Sequence, residues 1–152
     1  TGAVRTATVT GLTNGQAVTA VVTAVNRVGI GANSNVSASS TPTAGLTAPS
    51  APGISSPLAG TAGGELTLRA RWTASTTTGG TPITGYRAWA YRMSSNAADA
   101  MVLEIIPGAV VSASTRSFDF KLQQGWYRFQ VEAINAVGTS ARSAKSAAGQ
   151  PQ

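Results

Sequence analysis

One pattern occurs twice in this chain and limits what it can fold into. L-T-N-G-Q-A-V-T-A-V-V-T-A-V-N-R-V-G runs from Leu12 to Gly29, and L-Q-Q-G-W-Y-R-F-Q-V-E-A-I-N-A-V-G from Leu122 to Gly138. The leucines lie 110 positions apart and the asparagines Asn26 and Asn135 lie 109 apart. That interval is the length of one β-sandwich domain plus a connection. Only 11 residues precede the first copy, so the first domain is expected here as its C-terminal half alone. In a chain of 152 residues, one complete domain and a part fit comfortably.

Period-two alternation supports an all-β reading. Thr6–Thr10 is a short alternating run that Gly11 and Asn14-Gly15 end with turn chemistry. Ala17–Asn26 reads as a strand with Val18, Ala20, Val22 and Ala24 on one face, and Val36–Thr41 as a weaker one. Thr41 to Gly53 holds three prolines among small residues and is predicted to be a semi-extended linker, with residues 45–53 as its centre. Beyond it, Leu66–Trp72 places Leu66, Leu68, Ala70 and Trp72 on one face and Thr67, Arg69 and Arg71 on the other. Further strands are expected at Tyr86–Tyr91, Met101–Ile106 (ending at a Pro107-Gly108 turn), Ser117–Leu122, Trp126–Asn135 and Arg142–Ala148. Asn96–Glu104 could open a helix with Asn96 as its cap, but Pro107 and the β-type neighbours favour a loop feeding a strand.

At these residues the chain resembles the fibronectin type III domain in its bacterial and phage form. Pro49 and Pro52 resemble the proline-marked entry, and Trp72 the buried core tryptophan. W-T-A-S-T-T-T-G-G-T-P-I-T-G-Y, Trp72 to Tyr86, is similar to the B–C stretch, and Tyr127 to Gly138 to strand F and the F–G turn. The resemblance implies an immunoglobulin-like β-sandwich. Residues 54–150 would be one complete copy, and residues 1–44 strands E, F and G of a preceding one. It implies a structural core of Trp72, Tyr86, Leu122, Tyr127, Phe129 and Val131. The family's corner tyrosine usually stands six residues after the leucine; here Leu122 to Tyr127 is five. In the first copy Val18 takes the tyrosine's place. The fold says little about function.

Composition removes whole classes of chemistry. With neither histidine nor cysteine, the chain has no Ser-His-Asp or Cys-His catalysis, no disulfide and no thiolate metal site of its own. The five acids, Glu65, Asp99, Glu104, Asp119 and Glu132, form no pair of the kind glycoside hydrolysis needs and no calcium loop. No catalytic residue, metal or cofactor is expected. The net charge is +6, but the eleven basic residues are scattered, without a nucleic-acid motif. No apolar stretch is long enough to span a membrane.

One feature is sharper. If Tyr86, Ala88 and Ala90 face the core, Arg87, Trp89 and Tyr91 face outward. On the neighbouring strand Trp126 and Arg128 point out with them. Arg87, Trp89, Tyr91, Trp126 and Arg128 then form a candidate exposed binding patch for a protein subunit or a cell-surface glycan; the competing reading is cross-strand packing of Arg over Trp. Only 11% of residues are charged, and Ser, Thr, Gly and Ala take their place, as in secreted repeat proteins and virion proteins. The expectation is a non-catalytic structural or interaction module acting outside the cell. The favoured setting is a bacteriophage virion, as tail or capsid decoration. The alternative is a spacer or adhesion module of a secreted or cell-surface bacterial protein, including the accessory region of a polysaccharide-degrading enzyme. Residues 1–44 are expected to be completed by a protein partner or another subunit.

Overall fold

A computed structural model describes residues 5–152. It is all-β, as expected, with no helix among the described residues, and it divides into two compact units, Thr1–Gly45 and Leu46–Gln152.

The second unit is a sandwich of two antiparallel sheets. One contains β3 (Gly53–Ile54), β4 (Leu58–Ala59), β5 (Thr67–Thr73) and β8 (Ser117–Lys121). The other has the order β7 (Val102–Ser112), β6 (Ile83–Met93), β9 (Trp126–Asn135). Period-two alternation places Leu68, Ala70 and Trp72 of β5 opposite Tyr86, Ala88 and Ala90 of β6 and Tyr127, Phe129, Val131 and Ala133 of β9, all buried. Leu122 and Phe120 complete this core. Trp72 and Tyr86 meet with ring centroids 5.9 Å apart, and Phe120 stacks on Phe129 at 5.3 Å. On the outer side of β5, Arg69 binds Asp119 of β8 through two bonds of 2.6 and 2.7 Å.

The predicted linker is not one. Pro49 and Pro52 are buried, Thr47 and Ser50 donate backbone bonds to Gly79 and Thr77, and Gly53 pairs with Thr73. Proline supplies an extended backbone here, and its rings pack. Gly79 and Gly80 have left-handed φ values of 73° and 85°, and a Cβ on Gly79 would strike the Thr47 carbonyl. At the other end Gln152 exchanges backbone bonds with Thr67, so the sandwich extends past residue 150.

Pro107-Gly108 is not a turn either. β7 runs on to Ser112, and its register against β6 shifts between Arg87 and Trp89, opposite that dipeptide. This is a bulge on an edge strand, where a missing N–H is tolerated. A Cβ on Gly108 would come within 3.1 Å of Phe118 and Phe120. In the Asn96–Glu104 segment, residues 96–101 are a loop that feeds β7, and Val102 to Glu104 are its first residues.

The chain after β9 doubles back along it with a spacing unlike a regular strand. Ser140, Ser143, Ser146 and Gly149 donate backbone N–H bonds to the carbonyls of Ala133, Val131, Phe129 and Tyr127. This segment therefore advances three residues for every two of β9. At each serine the side chain takes over the acceptor role of the displaced carbonyl. The N–H groups of Ala133, Val131 and Phe129 donate to Ser140, Ser143 and Ser146 Oγ at 2.9, 3.0 and 2.9 Å. Each Oγ in turn donates to the next residue's carbonyl.

In the first unit β1 (Thr23–Val25) pairs antiparallel with β2 (Ile30–Asn33). The pairing continues outward in the same serine-bonded form. Ser34, Ser37 and Ser40 donate backbone bonds to the carbonyls of Val22, Ala20 and Val18. The N–H groups of Val22 and Ala20 donate to Ser34 and Ser37 Oγ at 3.0 and 2.9 Å. Thr6–Thr10, expected as a strand, forms none. Residues 1–4 of the expected half-domain lie outside the described residues.

Candidate functional site

The outer face of the β7-β6-β9 sheet holds the candidate patch. Cross-strand register sets Arg87 opposite Glu132, Trp89 opposite Gln130, Tyr91 opposite Arg128 and Met93 opposite Trp126. Arg87, Trp89, Trp126 and Arg128 are half-buried. Tyr91 is only 5% exposed, which corrects its expected exposure. Alternation puts it on the outer face correctly, but the serine-bonded segment lays two cations across it. Arg142 Nη1 donates to the Tyr91 hydroxyl at 2.7 Å, and Lys145 Nζ lies 5.3 Å from the ring centroid.

Arg142 also covers Trp89. Its guanidinium carbon is 3.8 Å from the ring centroid, with Arg87 at 5.8 Å. Glu132 Oε2 anchors Arg142 at 3.5 Å. Arg128 is tied to the carbonyls of Ser146 and Asn96 at 2.9 and 3.1 Å. The patch is thus a cation–aromatic ladder clad largely by its own side chains, with Trp89 and Trp126 partly open. Arg142 and Lys145 were not legible as members. The signal that places them is the triplet spacing of Ser140, Ser143 and Ser146, which sets them between serines on the outer side.

No cluster of three acidic or metal-binding side chains occurs among the described residues. The carboxylates that line hollows are paired: Asp119 with Arg69, which holds its carboxyl below the usual range by hydrogen bonding, and Glu65 with Lys121 at 2.8 Å. Burial pushes the Tyr127 hydroxyl above its ordinary value.

The F–G turn asparagine has a built environment. Asn135 Oδ1 accepts from the N–H groups of Val137 and Gly138, both at 2.9 Å. Its Nδ2 donates to the Thr47 and Thr78 carbonyls, both at 2.8 Å. Asn26 keeps the turn half of this arrangement, accepting from Val28 and Gly29 at 2.8 and 3.1 Å.

No protein-family profile matches the chain, and no curated protein sequence does. Solved structures do. Domains A168–A170 of titin superpose with a TM-score of 0.56 at 20% identity, over 87% of this chain and 40% of that one. The fibronectin type III domain of human fibronectin type III domain containing protein 3 matches 71% of this chain and 90% of its own, at 22% identity and a TM-score of 0.47. The fold is an immunoglobulin-like β-sandwich. The chain spans less than half of the titin fragment. At these identities the likeness establishes architecture alone.

Proposed function

We propose that this chain is a non-catalytic interaction module of a bacteriophage virion protein, decorating a tail or capsid, and that the hairpin of its first unit packs against a further sheet, supplied by the same polypeptide or by a protein partner. The observation that carries the reading is the hairpin of residues 17–40. It repeats the hydrogen bonding of β9 and its serine-bonded neighbour at an offset of 109 residues, but without a second sheet among the described residues of its unit. Residues equivalent to Val131 and Ala133, fully buried in the second unit, are Val22, which is 71% exposed, and Ala24, also exposed. Proteins seldom leave such a face bare. The low-charge, hydroxyl-rich surface supports a place in an extracellular assembly. Trp89 and Trp126, flanked by Arg87 and Arg128, supply a further contact face.

An antibody raised against residues 46–152 tests the setting. Labelling of intact purified phage particles is the expected result. Labelling of bacterial surfaces or culture medium without particles would replace the virion by a secreted or cell-surface bacterial protein.

A further inference from the structure

We infer that the outer face of the β7-β6-β9 sheet docks a protein surface that lays an apolar row over β7 and carboxylates over the serine-bonded segment. The inference rests on the contact-face reading above and gives that contact its chemistry.

Cross-strand register sorts the face into stripes. On β7, Ile105 stands opposite Tyr91, Pro107 opposite Trp89 and Val110 opposite Arg87, so all three share the outer face with their partners. Ile105 is 51% exposed and Val110 49%, and Pro107 is exposed between them. In its sheet β7 has β6 as its one neighbour, so this apolar stripe borders a free edge. On the far side of Trp89 lie Arg128, Arg142 and Lys145. The apolar and cationic stripes are three strand spacings apart, about 14 Å.

The cationic stripe is unbalanced. Among the outward residues of β6, β7 and β9 the one acid is Glu132, and Arg142 engages it at 3.5 Å. Arg87, Arg128 and Lys145 have no carboxylate partner among the described residues. Donors are in excess as well: Arg87 Nε, Trp89 Nε1 and Arg128 Nε are buried and find no acceptor among the described residues. The guanidinium groups are already held in place, Arg142 by Trp89 and Tyr91, and Arg128 by two carbonyls. Such preorganisation lowers the ordering cost of binding. The complement to this side of the face brings negative charge and hydrogen-bond acceptors.

Together the stripes select a class of partner. Sugar hydroxyls must donate as well as accept, and the single carboxylate of the face is already engaged. DNA offers phosphates but no apolar side chains to cover Ile105 and Val110. A second copy of this face brings like charge. A protein surface with an apolar row beside acidic side chains meets both stripes, and aromatic residues and arginine are enriched in protein interfaces.

The probe is a blocked seven-residue peptide, Leu-Phe-Leu-Gly-Glu-Asp-Glu, which when extended is long enough to reach from β7 to the serine-bonded segment. It is titrated into the full chain and read by NMR. The indole N–H signals of Trp89 and Trp126 are expected to shift, while that of Trp72 in the core stays in place. A spin label on the acidic end is expected to broaden Lys145 more than Ile105, and one on the apolar end the reverse. Lys145→Glu and Ile105→Ser, both at exposed positions, are each expected to weaken binding about fivefold. Added salt should shrink the effect of the first and not of the second. No shift at Trp89 and Trp126 overturns the inference. So does equal binding by peptides whose apolar block is replaced by serine or whose acidic block is replaced by lysine. Tighter binding of polygalacturonate or a DNA duplex to this face, or dimerisation through Ile105 and Val110 that excludes the peptide, overturns it too. The contact-face reading is checked separately, by oxidative footprinting of Ile105, Trp89 and Trp126 in the native assembly. Protection there without peptide binding sinks only the chemistry assigned to the partner; no protection there sinks the contact face itself.

Discussion

Ser143→Ala removes one rung of the serine-bonded segment and isolates what a single hydroxyl contributes to this fold. Ser143 is 4% exposed and Val131 not at all. The Val131 N–H donates to Ser143 Oγ at 3.0 Å, and no backbone carbonyl can replace it, because the three-against-two spacing has moved that carbonyl away. Alanine thus leaves a buried amide without an acceptor. The other bond, from Ser143 Oγ to the Ala144 carbonyl at 2.8 Å, ends at an exposed residue, where water substitutes. The cost is that of one unsatisfied buried donor, about 1–3 kcal/mol. For a unit of roughly 100 residues this lowers the melting temperature by about 4 °C or more. Thermal unfolding followed by circular dichroism measures it. Ser37→Ala is the matched control: its hydroxyl accepts from Ala20 in the same geometry at 2.9 Å, but at exposed residues, so the second unit's transition should not move. A Ser143→Ala chain that melts with the wild type would refute the argument that the hydroxyl stands in for the carbonyl.

Trp72→Ala should cost about 3–5 kcal/mol and unfold the second unit or nearly so, read as the loss of its cooperative thermal transition. Trp89→Ala removes the ring beneath Arg142, 3.8 Å from its guanidinium. It should cost about 0.5–2 kcal/mol in chemical denaturation while leaving the near-ultraviolet signature of Trp72 in place. Asp119→Asn should cause a small loss of stability that added salt shrinks, because the Arg69–Asp119 pair is half-exposed. Arg69 depresses the Asp119 pKa in the folded state, so the pair's stabilisation is fully present above the unfolded value of about 4 and fades as pH falls through the lower folded value. The difference between wild type and Asp119→Asn should therefore be constant near neutrality and close in acid.

Where one physical effect dominated, the sequence was readable. Strand β9 has the bounds its alternation predicts, Trp126–Asn135, and the alternation of Leu66–Trp72 placed Trp72 inside. Where two effects competed, it misled. Prolines in residues 45–53 signalled a linker, but a proline ring beside an extended backbone also packs, and burial won at Pro49 and Pro52. Pro107 signalled a strand end, yet an edge strand absorbs it in a bulge. Tyr91 was assigned to the correct face, but exposure depends on the neighbours that cover a face. Arg142 and Lys145 arrive from a segment whose period is neither two nor 3.6. The triplet of serines was visible from the start, in N-S-N-V-S-A-S-S and in T-S-A-R-S-A-K-S. It matches neither the period of two of a strand nor the 3.6 of an α-helix, the two periods that alternation arguments test. The patch was legible as a group of residues and illegible as a surface.

The three-residue repeat divides labour along that segment. One position in each triplet is committed to holding the sheet, and the other two are released from it. In the second unit the released positions include Arg142 and Lys145, which roof Trp89 and Tyr91 with charge. In the first unit the equivalent positions carry Asn33 and Val36, on the same serine framework. Scaffold and surface are thus written in separate letters of one stretch of chain. A serine anchors the backbone, and the side chains beside it differ between the two units on that same framework, so modules sharing this backbone can present different faces to whatever they meet.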